Sequence, residues 1–325
     1  MALLGLVIAC LVMAATPSAT GLIFAVFLLR LAGQGMTSHI AVVAMARWYV
    51  AQRGRALSIA GLGYALGEAA LPLIFVSLLG IFDWRILWVV AAALAAIAAP
   101  VIYLALTRER TPDAIAQDSA ATGIGARHWG RAEVLRSPIF WLIVPAILGP
   151  SAYSTAFFFH QVHMAEVKGW SHVALVALFP VFTLAGVSGM MTTGWFIDRI
   201  GVTRLMPLYL LPFILGFLIM YQTNSLAGAA LCMIFLGLSQ GAVSTLPNAF
   251  WAEFFGTKHL GAIRSLATAI MVLGSAIGPG ISGFAIDHGL SFPDQMPWIA
   301  VYIAVSAGMI AMAARLAARG LARPA

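Results

Sequence analysis

Apolar residues fill this chain in long uninterrupted runs, and polar ones are confined to the gaps between them. Ten such runs lie near residues 1–17, 20–46, 56–80, 86–106, 138–163, 172–197, 205–222, 225–250, 261–286 and 297–318. A helix rising 1.5 Å per residue needs about 20 apolar residues to cross a bilayer. The runs are continuous and do not alternate every second residue, which excludes barrel strands. The pattern therefore predicts an all-α polytopic membrane protein with ten transmembrane helices. Pro72, Gly149, Pro150 and Pro279 fall inside runs, where membrane helices tolerate them as kinks. The first run has a second reading as a signal peptide, with Val7-Ile8-Ala9-Cys10 as a cleavage-like site. Against it stand the missing basic n-region and the apolar run that follows at once.

Composition sharpens this. Of 325 residues, 62% are hydrophobic and 9% charged, and the mean hydropathy is +0.97. A soluble domain is roughly 25% charged, so lipid is the expected solvent and partner. The net charge of +7 gains its meaning from position. With both termini cytoplasmic, fifteen of the eighteen basic residues fall in cytoplasmic segments; Arg85 and Lys168 lie outside and Arg30 lies within a helix. That distribution reads as orientation in a plasma membrane, the bacterial inner membrane, and removes nucleic acid as a partner. Cys10 and Cys232 sit in apolar runs as packing residues. No metal, cofactor or enzyme motif is evident, so an ion gradient is the expected energy source.

The only long polar stretch, residues 107–137, reads as a cytoplasmic linker. It separates an incomplete N-terminal transmembrane bundle, 1–106, from a C-terminal bundle, 138–325. An internal repeat joins the two. A shift of 207 residues brings Gly54 onto Gly261, Leu66-Gly67 onto Leu273-Gly274 and Pro72 onto Pro279. A shift of 206 brings Gln34-Gly35 onto Gln240-Gly241 and Ser38 onto Ser244. The displacement is six helices, so the copies share one direction. A six-helix repeat leaves the N-terminal bundle with four helices, as though its first two were missing.

Gly194, Asp198, Arg199, Gly201 and Arg204 form a G-x-x-x-D-R-x-G-x-x-R turn. This resembles the signature of the major facilitator superfamily, whose fold is built from parallel six-helix repeats. The resemblance implies secondary transport by alternating access, with the turn latching the cytoplasmic side and Asp198 facing the start of the helix near Arg53 and Gly54. The alternative is a merely solvated turn. Ala46–Leu57, Leu29–Gly35, Phe159-His160-Gln161 and Lys168-Gly169-Trp170-Ser171 resemble the monocarboxylate-porter and oxalate/formate-antiporter branch. That branch implies a small organic anion as solute, with a proton or other coupling ion. The chain departs from it in having no intramembrane charge in 172–197 or 261–286. A drug or metabolite exporter of the same superfamily, or a truncated non-transporting membrane protein, are the competing readings.

The candidate solute site follows from polar residues at depth. Arg30 lies roughly 24 Å and Glu68 roughly 21 Å from the cytoplasmic ends of their helices, so they reach similar depth and pair or share a wet cavity. The alternative is a structural ion pair. Gln34, Thr37 and Ser38 share a helix face with Arg30, and Gln240 and Ser244 are the repeat's counterpart; helix–helix hydrogen bonding would use the same residues. Tyr153, Phe157 and His160 or Gln161 make a further stripe, in which His160 suits proton coupling or a hydrogen-bonded interface.

Overall fold

The computed structural model describes residues 1–37, 40, 53–106, 123–256 and 258–321. Every regular element among them is helical. The chain divides into two compact units, Met1–Asp118 and Ser119–Ala325, with the boundary inside the predicted linker.

The N-terminal unit holds α1 (Ala2–Ala15), α2 (Ala19–Leu29), a π-helical segment Arg30–Thr37, α3 (Arg53–Leu79) and α4 (Trp84–Leu106). Thr16-Pro17 ends α1, because proline carries no N–H to continue the ladder. Ser18 then caps α2 by accepting from the Gly21 N–H at 3.2 Å. Helix α1 packs on α2, on the π segment and on α4. Small residues meet there, since a Cβ at Gly5 would lie 3.6 Å from the Ala32 Cβ. Arg85 reaches back to the carbonyl of Thr16 at 3.4 Å and stacks over Trp84.

The C-terminal unit holds α5 (Arg131–Arg136), α6 (Pro138–Phe159), α7 (Gln161–Lys168), α8 (His172–Val176), α9 (Phe179–Ile200), α10 (Val202–Leu205), α11 (Leu211–Gln222), α12 (Leu226–Phe255), α13 (Leu260–Asp287) and α14 (Phe292–Leu321). Two glycine seams bring helix backbones together. A Cβ at Gly237 would strike the carbonyl of Phe182, and one at Gly241 that of Gly186. The register advances together on both helices, so α9 and α12 run parallel. A Cβ at Gly278 would strike the Ala152 carbonyl, and one at Gly274 would lie 2.7 Å from the Leu148 carbonyl, so α6 and α13 also run parallel. In membranes, where apolar burial gains little, such close backbone packing drives association. Helix α14 lies antiparallel on α6, with Tyr302 against Gly149 and Phe292 near Phe157. Helix α11 closes the unit between α12 and α14.

Each of the ten predicted runs contains helix among the described residues, and six helical regions among those residues are individually long and apolar enough to cross a membrane: Trp84–Leu104, Pro138–Phe159, His172–Ile197, Leu226–Phe255, Leu260–Asp287 and Phe292–Ala318. Four others are shorter, at Ala2–Ala15, Ala19–Gly33, Leu66–Leu79 and Leu211–Gln222. In α11 the cause is local. A turn over 206–210 that contains Pro207, with Pro212 in the first turn of the helix after it, interrupts the helical run predicted from 205.

The linker differs from its sequence reading. Residues 107–122 lie outside the described residues, but 123–137 fold onto the C-terminal unit. The Trp129 N–H donates to the Phe255 carbonyl at 3.1 Å, its ring packs edge-on against Phe255, and Val134 is fully buried. An apolar Trp and Val in a polar stretch are what dock it.

Candidate functional site

In the N-terminal unit the polar stripe falls on a local change of helix type. Arg30 opens the π-helical segment and Thr37 closes it. The Thr37 hydroxyl donates to the carbonyls of Ala32, at 3.1 Å, and Gly33. A π register widens the helix and shifts side chains off the α-helical face, and such segments concentrate at functional positions. Gln34 lies inside the segment by its backbone; Ser38 lies outside the described residues. Arg30 is half-buried and engaged in an interaction of its own. Glu68, also half-buried, sits mid-way along α3. Among the described residues the ion pair within 4 Å is Arg127–Glu133, at 3.5 Å; a direct Arg30–Glu68 bridge is not found among them.

In the C-terminal unit the stripe along α6 splits between neighbours. Tyr153 meets the Tyr302 ring, with centroids 5.5 Å apart. Phe157 is fully buried between Phe217 and Phe292. His160 ends α6, where its Nε2–H donates to the Pro279 carbonyl at 2.9 Å, and its ring packs beside Gly283. The Gln161 Oε1 is buried and lacks a partner among the described residues. Tyr153 and His160 thus face helices of their own unit. On α12, Gln240 is half-buried and Ser244 exposed, and the Ser244 hydroxyl donates to the Gln240 carbonyl at 3.0 Å.

The signature turn is at the end of α9. Gly201 adopts φ +80 and terminates the helix, a conformation only glycine takes without strain. The Arg199 guanidinium stacks over Trp195 at 4.7 Å, and Arg204 is exposed. Gly194, expected to permit close helix approach, has open space where its Cβ would be; within its own unit it makes no such approach. The backbone of Asp198 lies in the last turn of α9, and those of Arg53 and Gly54 in the first turn of α3.

The Lys168-Gly169-Trp170-Ser171 motif has a distinct use for each residue. The Lys168 ammonium donates to the carbonyls of Tyr221, at 2.9 Å, and Thr223, at 2.8 Å, and to Asn224 Oδ1 at 3.3 Å. It thereby caps the carboxyl end of α11, where the helix dipole favours a cation. Gly169 at φ +70 ends α7. The Trp170 indole N–H donates to the Asn224 carbonyl at 2.9 Å, and Ser171 caps α8 by accepting from Ala174. Partial burial pulls the Lys168 ammonium below its ordinary value, against the opposing pull of Asp294.

Sequence reasoning missed three polar residues that tie elements of this unit together, Tyr209 and Gln295 buried and Tyr302 half-buried. The Tyr209 hydroxyl donates to the Ala146 carbonyl, that of Tyr302 to the Pro145 carbonyl at 3.1 Å, and Gln295 Nε2 to the carbonyls of Ser282 and Leu290. For Tyr209 the signal was present in a proline: Pro150 frees the Ala146 carbonyl four residues earlier, and a freed carbonyl in a membrane needs a donor; Tyr302 and Gln295 carry no such local signal.

A sequence model of the Major Facilitator Superfamily matches residues 1–279 and again 178–325, as suits a chain with an internal repeat. Bovine monocarboxylate transporter 13 is 25% identical over 279 residues, which is 83% of this chain and 62% of that protein. The chain therefore spans less than two thirds of that relative's length. A bacterial homologue of the human lysosomal transporter Spinster, inward-facing and unoccupied, superposes with a TM-score of 0.66 at 16% identity, covering 100% of this chain and 84% of that one. The nucleoside transporter NupG gives 0.64 at 15% identity, over 97% and 81%. The E. coli fucose:proton symporter gives 0.60 at 14%, over 96% and 83%. At these identities the structures speak for the fold.

Proposed function

Since the chain belongs to the Major Facilitator Superfamily, we propose that it works as a secondary active transporter and not as an enzyme, carrying a small monocarboxylate-like anion together with protons by alternating access. The observation that carries the reading is Arg30 at the head of a π-helical segment within an apolar run. A guanidinium costs several kcal/mol inside a membrane unless it faces water, a partner or a ligand, and a π segment redirects it. Glu68 on α3 supplies a carboxylate to hold a proton or tune Arg30. The further solute-binding residues of this proposal are Gln34 and Ser38 in the N-terminal unit and Tyr153, His160, Gln240 and Ser244 in the C-terminal unit. The printed name of the bovine relative supports a monocarboxylate, and that of the fucose:proton symporter supports proton coupling. The ten-helix count, the bacterial inner membrane, the cytoplasmic termini and the latch between Asp198 and the start of α3 belong to the same proposal.

The test is uptake of labelled lactate, pyruvate and formate by proteoliposomes holding the full chain under an inward proton gradient. Accumulation should collapse with a protonophore and disappear in Arg30→Gln. Glu68→Gln should abolish the pH dependence while leaving exchange of preloaded anion. Transport of neutral or cationic compounds that survives Arg30→Gln would replace this reading with that of an exporter, which the lack of charge in the membrane interior of 172–197 and 261–286 would then explain.

A further inference from the structure

The segment that leads into α6 is a two-faced elbow. Its inner face is apolar and fixed: Val134 is fully buried, the Trp129 indole N–H donates to the Ile124 carbonyl at 3.1 Å, and a Cβ at Gly123 would collide with the Phe254 carbonyl. Its outer face carries Arg131, Leu135 and Arg136, all exposed. Glu133, the elbow's one carboxylate, is already engaged. It accepts from the Gly130 N–H at 2.6 Å and pairs with Arg127 at 3.5 Å, while Arg127 itself lies over Trp129. Arg131 and Arg136 have no carboxylate within 4 Å among the described residues.

Height in the membrane is set by Trp141. The residue is 56% exposed in the first turn of α6, and its indole N–H donates to the Leu135 carbonyl at 2.8 Å. An outward-facing Trp whose N–H is satisfied at a helix end marks the level of the lipid headgroups. Helix α5 is therefore held at that level. It lies against α13; the turn before α13 carries exposed Lys258 and its first turns carry exposed Arg264, at the same end of the bundle.

We propose that this elbow is a binding surface for an anionic phospholipid. Arg131 and Arg136, with Lys258 and Arg264 beside them, hold the headgroup phosphate, and Leu135 and Trp141 contact the start of the acyl chains. The occupant is a lipid and not a soluble anion because the exposed apolar groups are interleaved with the guanidiniums at one level, the pattern of an interfacial amphipathic segment. The proposal is independent of which solute is carried.

The experiment is thermal unfolding of the purified full chain in detergent, with phosphatidylglycerol, phosphatidylcholine or inorganic phosphate added. Phosphatidylglycerol should raise the Tm by about 3–5 °C, as mass action on a folded-state ligand requires, and 0.5 M salt should shrink the gain as screening demands. Arg131→Gln with Arg136→Gln should remove most of the gain, and Arg131→Lys with Arg136→Lys should keep it. An equal gain from phosphatidylcholine or from inorganic phosphate, a gain untouched by salt, or an undiminished gain in the glutamine variant would each overturn the proposal. The salt and lipid arms use the unaltered protein and stand even where the glutamine variant does not fold.

Discussion

The hydroxyl of Tyr209 donates to the carbonyl oxygen of Ala146 at 3.2 Å, both residues buried inside the C-terminal unit. Ala146 stands four residues before Pro150, and proline has no N–H to return to that carbonyl. The tyrosine supplies from α11's leading turn the donor that α6 lacks. Ser239 then donates to the Tyr209 carbonyl at 3.2 Å, so one residue couples α6, α11 and α12. Tyr209→Phe leaves an acceptor buried without a partner. It should lower stability by about 1 kcal/mol, read as a fall in Tm at unchanged helical content. An unchanged Tm would mean that Pro150 is accommodated without Tyr209.

Gly274 and Gly67 are repeat mates with opposite surroundings. A Cβ at Gly274 would lie 2.7 Å from the Leu148 carbonyl, whereas one at Gly67 would meet, among the described residues, its own helix at Leu71 Cδ1, 3.6 Å away. Gly274→Ala and Gly278→Ala should force α6 and α13 apart at a cost of about 1–3 kcal/mol. Gly67→Ala should be neutral or slightly stabilising, since alanine favours helix by up to about 1 kcal/mol over glycine. Thermal unfolding of the three variants side by side measures this, and equal losses at Gly67 and Gly274 would contradict it.

These two pairs also mark how far the sequence could be read. Uninterrupted apolar runs located the helical regions, because length and hydropathy are properties of single segments. The repeat paired Gly67 with Gly274, yet spacing alone could not reveal that only the second has another backbone against it. The site was less legible. Arg30 and Thr37 were placed on one α-helical face, but the structure gives them a π register in which that geometry changes. Tyr153, Phe157 and His160 share one face of α6 by spacing, and the structure divides them among α11, α13 and α14 through partners such as Phe217, Pro279 and Tyr302. Such partners are long-range, and no local pattern carries them.

Lys168 offers a prediction with a pH sign. Its three acceptors sit at the end of α11. Lys168→Met removes the donors from that helix end and should cost about 1 kcal/mol, with Arg a partial substitute. Burial holds the folded-state ammonium below its ordinary value, so the unfolded chain binds more protons between the two values. The contribution of this group to stability should therefore rise with pH through that alkaline window and be flat near neutrality. Unfolding midpoints across the alkaline range, compared between wild type and Lys168→Met, show it; a slope of the opposite sign would remove burial as the dominant influence.

Thr37 tests whether the π segment serves the solute or only the fold. Its hydroxyl bridges the carbonyls of Ala32 and Gly33, groups that a widened register leaves poorly matched to backbone donors. Thr37→Val keeps the branched shape and removes the donor, so the segment should relax toward an α-helical register and turn Arg30 away from its present direction. Thermal stability should change by about 1 kcal/mol or less, because the helix can satisfy those carbonyls in the relaxed register. The apparent KM for the transported anion should rise several-fold with little change in maximal rate, and Thr37→Ser should restore it. A variant that loses stability but transports with wild-type KM would assign the π segment to packing alone, and Arg30 would then need another means of facing the solute.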